Sequence, residues 1–233
     1  MVWSPAFWSR FFKLEFSRQL STLVDVFEMR IDPAFNGIEE ESEAIEKEAW
    51  EVFMSSPATG DEDPAELAEN ARMLGVDHYL LFQGIRVGMV NLCAAALYHA
   101  FEQQLWLFYR KEVLDIRKTP PKAFKLTLFQ EKALASGIDI GTFNSWSSIT
   151  ELNLLANTIK HGEGASSTNL YSIRPDFFIH PSLRENGYDA QGPHYLLQPL
   201  FGDSLYVSFK DIRTYLGALL LFWEELVQAM ERI

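Results

Sequence analysis

Hydrophobic positions recur along most of this chain at helical intervals, broken at a few turn-rich points. Residues 10–31 carry Phe11, Phe12, Phe16 and Phe27 in such a pattern, and Pro33 and Gly37 interrupt it. From Glu39 to Met54, acids alternate with Ile45, Ala49, Trp50 and Phe53, which predicts a second helix. The polar run 55–64 predicts a linker. Asp63 followed by Pro64 predicts an N-cap and first helical residue, opening a short helix Pro64–Leu74. Val76–Val113 has no proline, and its last glycine is Gly88. It predicts the longest helix, or two meeting near Gly84–Gly88. Met89–Tyr109 is apolar on nearly all sides and is expected at the centre of the core.

After Thr119-Pro120-Pro121, the pattern predicts a helix over Ala123–Ala135, a turn bracketed by Gly137 and Gly141, and a strongly periodic helix over Ser147–His161 stopped by Gly162. Residues 163–194, rich in Gly, Pro, Ser and Asn, read as an irregular connection. Tyr195–Leu200 and Ser204–Phe209, split by Phe201-Gly202-Asp203, read as a β-hairpin. Ile212–Ile233 reads as a closing amphipathic helix. The expected fold is mostly α: a helical bundle over 76–233 with a small β-hairpin before the C-terminal helix. Residues 1–75 form an acidic helical elaboration, and the two parts make one compact unit.

Charge sharpens this picture. The net charge is −12, from 32 acids and 20 bases. Glu28–Arg72 alone holds 14 acids and 3 bases, a net of −11, so everything else is nearly neutral. Such acidity argues against coating DNA, where phosphate neutralisation dominates affinity. The one basic cluster is Arg117, Lys118, Lys122 and Lys125, read either as a solubilising loop or as a local phosphate site. Cys93 is the only cysteine and lies in an apolar run, so it is expected as a small core residue. No intrachain disulfide can form, which suits a reducing cytosol. The five histidines (His78, His99, His161, His180, His194) lack a tight ligand spacing, so neither a metal nor a cofactor is expected. The aromatic start has no basic n-region. The longest apolar runs, Leu216–Trp223 and Ala94–Tyr98, fall short of the roughly 20 residues that span a bilayer. A cytoplasmic protein without membrane contact is the expectation.

Three groups of residues carry candidate chemistry. On a wheel of the helix ending at His161, Ile149, Leu152, Leu155, Ala156 and Ile159 share one arc. Asn153, Asn157, Lys160 and His161 share an adjacent arc, while Glu151 and Thr158 face away from both. This polar shoulder reaches the edge of a cleft, or else Asn157 bonds nearby backbone and the two cations meet the helix C-terminal dipole. On the long central helix, His99 and Glu102 lie three residues apart beside Gln103 and Trp106. Glu102 there partners Lys160, His161 or an arginine, or else the two form a buried structural hydrogen bond. Arg174, in Ile173-Arg174-Pro175-Asp176, folds back over the end of the 147–161 helix to clamp a phosphate or pair with Glu102, or else anchors its loop through a salt bridge. Nucleotide-binding glycine loops and the Gly-x-Ser-x-Gly elbow are absent.

Asn153-Leu154-Leu155-Ala156-Asn157-Thr158-Ile159-Lys160-His161-Gly162, followed by Arg174-Pro175-Asp176, resembles the active helix of the HEPN superfamily. The specific part spans about thirty residues. The resemblance implies a helical bundle that dimerises, and many such domains are metal-independent RNases of toxin–antitoxin and phage-defence systems. Their hallmark is an arginine followed, after about four to six residues, by a histidine. His161 matches the histidine and Asn157 the polar residue after the arginine. The positions open to that arginine hold Leu154, Leu155 and Ala156. In the catalytic reading, His161 acts as general acid/base and Lys160 and Arg174 stabilise charge. Asn157 orients the phosphate, with Asn153, His99 and Glu102 in support. The alternatives are a binder of RNA or nucleotide, and a catalytically inactive module for protein partners or dimerisation. The last is motivated by the missing arginine, the acidic N-terminal region and 18 Phe, 6 Trp and 8 Tyr.

Overall fold

The computed structural model of the chain describes residues 4–55, 63–114, 125–184, 186–187, 192, 196–202 and 204–233. The expected linker (56–62), the Pro120-Pro121 break, Arg117, Lys118, Lys122, His194, Tyr195 and Asp203 lie outside the described residues.

Aromatic spacing near the N-terminus builds one continuous helical run. Helix α1 (Pro5–Phe11) passes through a wider π turn at Phe12–Phe16 into α2 (Ser17–Val26), then a second π turn at Phe27–Ile31 and a 3-10 turn at Asp32–Phe35. Trp8, Phe12, Phe16, Leu20 and Val24 are all buried. The Trp8 ring meets Phe108 at 4.9 Å, and Phe12 and Phe16 flank Trp223 at 4.4 and 5.0 Å. All five belong to the main buried cluster of the molecule.

Helix α3 (Ile38–Ser55) presents its glutamates to solvent and packs along α4 (Pro64–Phe108). Asp63 caps α4 as expected, accepting from Ala65 N at 2.9 Å with Pro64 in the first turn. The helix does not stop at Leu74 and does not break at Gly84–Gly88. It is uninterrupted for 45 residues, about 67 Å at 1.5 Å per residue, and a π turn at Tyr109–Val113 extends it. It crosses the 75/76 position at which the sequence suggested a division. Gly75 allows this, because a Cβ there would lie 2.8 Å from Ser42 O on α3. By length and composition Pro64–Val113 is apolar enough to cross a membrane, and the core helix of a soluble protein passes the same test.

Helices α5 (Leu126–Ala135), α6 (Trp146–His161) and α9 (Phe209–Glu231) complete the core; α6 and α9 pack on each other and both pack on α4. Two expectations need correction. Residues 163–194 are not wholly irregular: they contain α7 (Ala165–Ile173), a 3-10 turn at Pro175–Phe178 and the short α8 (Pro181–Arg184). Their turn-forming polar residues cap helices locally, as Ser167 Oγ does to Gly164, while Leu170 is fully buried. The β-hairpin is absent too, since no strand occurs among the described residues. Pro199–Phe201 forms a 3-10 turn instead. The backbone around it is served by other elements. Asn91 Nδ2 of α4 donates to Pro199 O and Leu205 O at 2.8 and 2.9 Å, and Tyr206 N donates to Phe177 O at 2.8 Å. Those contacts tie the segment to α4 and to the Pro175–Phe178 turn rather than to a partner strand.

Candidate functional site

Helix α6 sets out from a carboxylate cap. Glu225 of α9 accepts from Asn144 N, Asn144 Nδ2, Ser145 N and Ser145 Oγ, at 2.6–3.2 Å. Burial pushes this carboxyl up, but the bonds from Ser145 and Asn144 outweigh it and hold it below the ordinary glutamate range. Ile149, Leu152, Leu155, Ala156 and Ile159 point into the core as the wheel predicted. Thr158 does so as well, contrary to the wheel, with its hydroxyl returned to Leu154 O at 2.8 Å. A buried threonine remains cheap when its own helix accepts its proton.

Three expected site residues, Asn157, Lys160 and His161, share the end of α6, and Asn153 stands one turn before Asn157 on the same helix. Asn153 and Asn157 are half-buried, and Asn157 Nδ2 donates to Asn153 O at 2.9 Å and Asn153 Oδ1 at 2.6 Å. Lys160 and His161 are exposed, with no hydrogen bond or ion pair among the described residues. Gly162 then turns the chain with φ +68°, where a Cβ would meet Leu196 O at 2.7 Å.

The remaining three residues do not join them. Arg174 is not folded over the end of α6. It is held ten residues back by Glu151 Oε1 at 2.8 Å, by both Asp176 oxygens at 2.9 and 2.8 Å, and by Asp211 Oδ1 at 2.9 Å, and it stacks 3.7 Å over Phe177. Burial works to lower its pKa, but the three carboxylates raise it well beyond the ordinary guanidinium value. Asp211 is pushed up by burial and pulled further down by Ser208 and Arg174, to a net value below the usual aspartate range. Tyr215 donates to Glu151 at 2.5 Å, and burial first, then that carboxylate, raises its pKa. The loop-anchoring reading of Arg174 is the one this geometry matches. His99 Nδ1 and Glu102 Oε2 lie 3.3 Å apart on α4 as a half-exposed pair, so Glu102 partners His99 rather than Lys160, His161 or Arg174. No cluster of His, Cys, Asp or Glu able to hold a metal ion occurs among the described residues.

Two features went unread in the sequence. One is the seat on α4 for residues 199–202, Leu205 and Val207, built from Gly84, Gly88 and fully buried Asn91. Its signal was present as small residues four apart followed by an amide inside an apolar run. The other is a groove of about 960 Å³ between residues 6–23 and α4. Phe7, Phe11, Leu14 and Leu107 line it together with Arg10 and Gln104. The spacing of Phe7, Phe11 and Leu14, four and three residues apart, was its signal. None of Asn153, Asn157, Lys160, His161 or Arg174 lines this groove. Comparison of the chain with family models, with curated proteins and with solved structures gives no match.

Proposed function

We propose that this chain is a HEPN-like helical bundle protein of the cytoplasm that binds phosphate groups of RNA or a nucleotide at the end of α6. One observation carries the reading: Lys160 and His161 stand side by side and exposed, with no carboxylate paired to either among the described residues, in a chain of net charge −12. They fall on the residues that resemble the superfamily's active helix. A lysine supplies a compact positive charge and an imidazole supplies a proton donor, which together suit a phosphate oxygen. Cleavage asks for more. Attack of a 2′-hydroxyl on its phosphate needs His161 as acid/base and a second cation beyond Lys160. Arg174 is neutralised by three carboxylates within its own chain and does not supply that charge.

The test is binding of a fluorescent single-stranded RNA and of ATP by wild type, Lys160→Ala and His161→Ala, with cleavage followed in EDTA. The expected result is binding lost at least fivefold in either variant. Metal-independent products with cyclic-phosphate ends, absent in His161→Ala, would extend the reading to catalysis. Equal binding by all three proteins, or none by wild type, would overturn it.

A second reading, a catalytically inactive dimerisation or scaffold module, has its own observation. The part of α4 that packs on α3 leaves Met73, Leu74, Val76, Leu80 and Leu81 exposed, the last two by 60% and 56%. An apolar stripe of this kind is a common seam between helices. The doubly substituted Leu80→Glu/Leu81→Glu chain should sediment as a monomer if wild type is a dimer through this face. A wild-type monomer would sink the idea.

A further inference from the structure

Up to Gly84, α4 has one covered face and one bare one. Ala71 is buried, a Cβ on Gly75 would lie 2.8 Å from Ser42 O, and His78 Nε2 stands 3.6 Å from Glu41, so this side belongs to α3. At 100° per residue, Met73, Val76 and Leu80 fall roughly opposite, at i, i+3 and i+7, and all three are exposed. Leu74 and Leu81, a turn to either side of His78, widen this stripe towards Glu41. Phe201, exposed and seated by its carbonyl on Gly84, ends it. The bare face also carries Glu66, Glu69 and Asp77. Glu69 reaches Arg72 at 3.5 Å, whereas Glu66 and Asp77 have no ion pair among the described residues.

This pattern selects an occupant. A ridge at i, i+3 and i+7 fits the groove of another helix, and no strand edge is on offer among the described residues to pair with an extended chain. Glu66–Leu80 covers about 21 Å, or about four helical turns. The partner's charge follows from the setting. Residues 38–81 hold 13 acids and 2 bases, a net of −11. A second copy would bring a like charge inside the roughly 8 Å over which it is felt at physiological salt, and a nucleic acid is repelled for the same reason. We infer that this face of α4 docks an amphipathic helix of a basic partner protein, its apolar side on Met73, Val76 and Leu80 and its lysines or arginines on Glu66, Glu69 and Asp77. Sedimentation separates this from pairing of two copies: a wild-type monomer removes the dimer and leaves the basic partner in place.

The probe is a fluorescein-labelled amphipathic peptide of leucine and lysine, about four turns long, titrated with the full chain at physiological salt and below the concentration at which the peptide self-associates. One comparator keeps the leucines and carries glutamate for lysine; the other keeps the lysines and carries glutamine for leucine. The leucine–lysine peptide should bind one per chain, at least tenfold tighter than either comparator. Met73→Gln/Leu80→Gln should weaken it at least fivefold, and so should Glu66→Gln/Glu69→Gln/Asp77→Asn. Glu40→Gln/Glu51→Gln, on the side of α3 away from α4, should change it less than twofold. All seven side chains are exposed, so folding is retained, and melting temperatures check this. No binding, equal binding of either comparator, binding unchanged in either set of α4 variants, or an equal loss in the α3 control overturns the assignment. So does a wild-type dimer that Leu80→Glu/Leu81→Glu dissociates, which gives the face to a second copy. Flotation with phosphatidylcholine vesicles that Met73→Gln/Leu80→Gln abolishes gives it to lipid, with the same consequence.

Discussion

Arg174 ties three separate elements together through one guanidinium. Its guanidinium joins α6, the turn at Pro175–Phe178 and α9 through Glu151, Asp176 and Asp211. Replacing it with methionine leaves these carboxylates facing one another and should cost about 2–4 kcal/mol, measured by urea unfolding. The effect belongs at the lower end because Asp176 is nearly half exposed. The Arg174 contacts and the Glu225 cap of α6 give an acid limb to stability. Asp211 and Glu225 both have folded pKa values below their unfolded ones. Their contribution is fully present above the unfolded values, near pH 4, and is lost as pH falls through the lowered folded values. Melting temperature should therefore fall below about pH 4.5, and Asp211→Asn with Glu225→Gln should flatten that limb while lowering stability at pH 7. The types of these residues were legible in the sequence, but their partners were not. Glu151 and Asp211 are 60 positions apart, and spacing along a chain says nothing of which surfaces meet. His99 and Glu102 found each other because both sit on one turn of one helix, a contact that sequence does expose.

Elements were read best where a period was long and its end was marked. Asp63-Pro64 opened α4 and Gly162 closed α6 as the residues required. Gly84 and Gly88 misled, because glycine inside a helix usually weakens it by about 1 kcal/mol relative to alanine. Here it makes room: a Cβ on Gly88 would lie 1.7 Å from Leu200 O, and one on Gly84 would lie 2.6 Å from Phe201 O. That contact, with Asn91, removed the expected hairpin, and alternating residues alone did not reveal it. Gly88→Ala should thus destabilise by about 2–3 kcal/mol. Gly217→Ala on α9, where nothing lies within 4 Å, should stabilise by about 0.5–1 kcal/mol. Thermal melts of the two variants, moving in opposite directions, would separate close packing from intrinsic helix preference.

For the molecule as a whole, helical periodicity indicated a mostly α protein, and Cys93 lies inside its core as its apolar neighbours suggested. Burial first, and the nearby Glu28 carboxylate second, push its thiol up to about 12. Little thiolate exists at neutral pH, so labelling by a thiol-specific disulfide reagent should proceed only at the rate of global opening, rising steeply with urea. Fast labelling in native buffer would show that α4 and α9 part more easily than their packing implies. The arrangement of candidate groups was the least legible level. Four polar residues on one helix stayed together because a helix is rigid, while Arg174 was drawn to carboxylates that only the assembled chain brings near.

The unbroken course of α4 bears on how this protein can be dissected. Expression boundaries chosen near residue 76 would saw through a rod, discarding the Asp63 cap and baring the flank of α4 that lies on Ser42. Shortened versions should accordingly keep both the α1–α2 run and the α3–α4 pair, and a fragment beginning at 76 should be recovered insoluble.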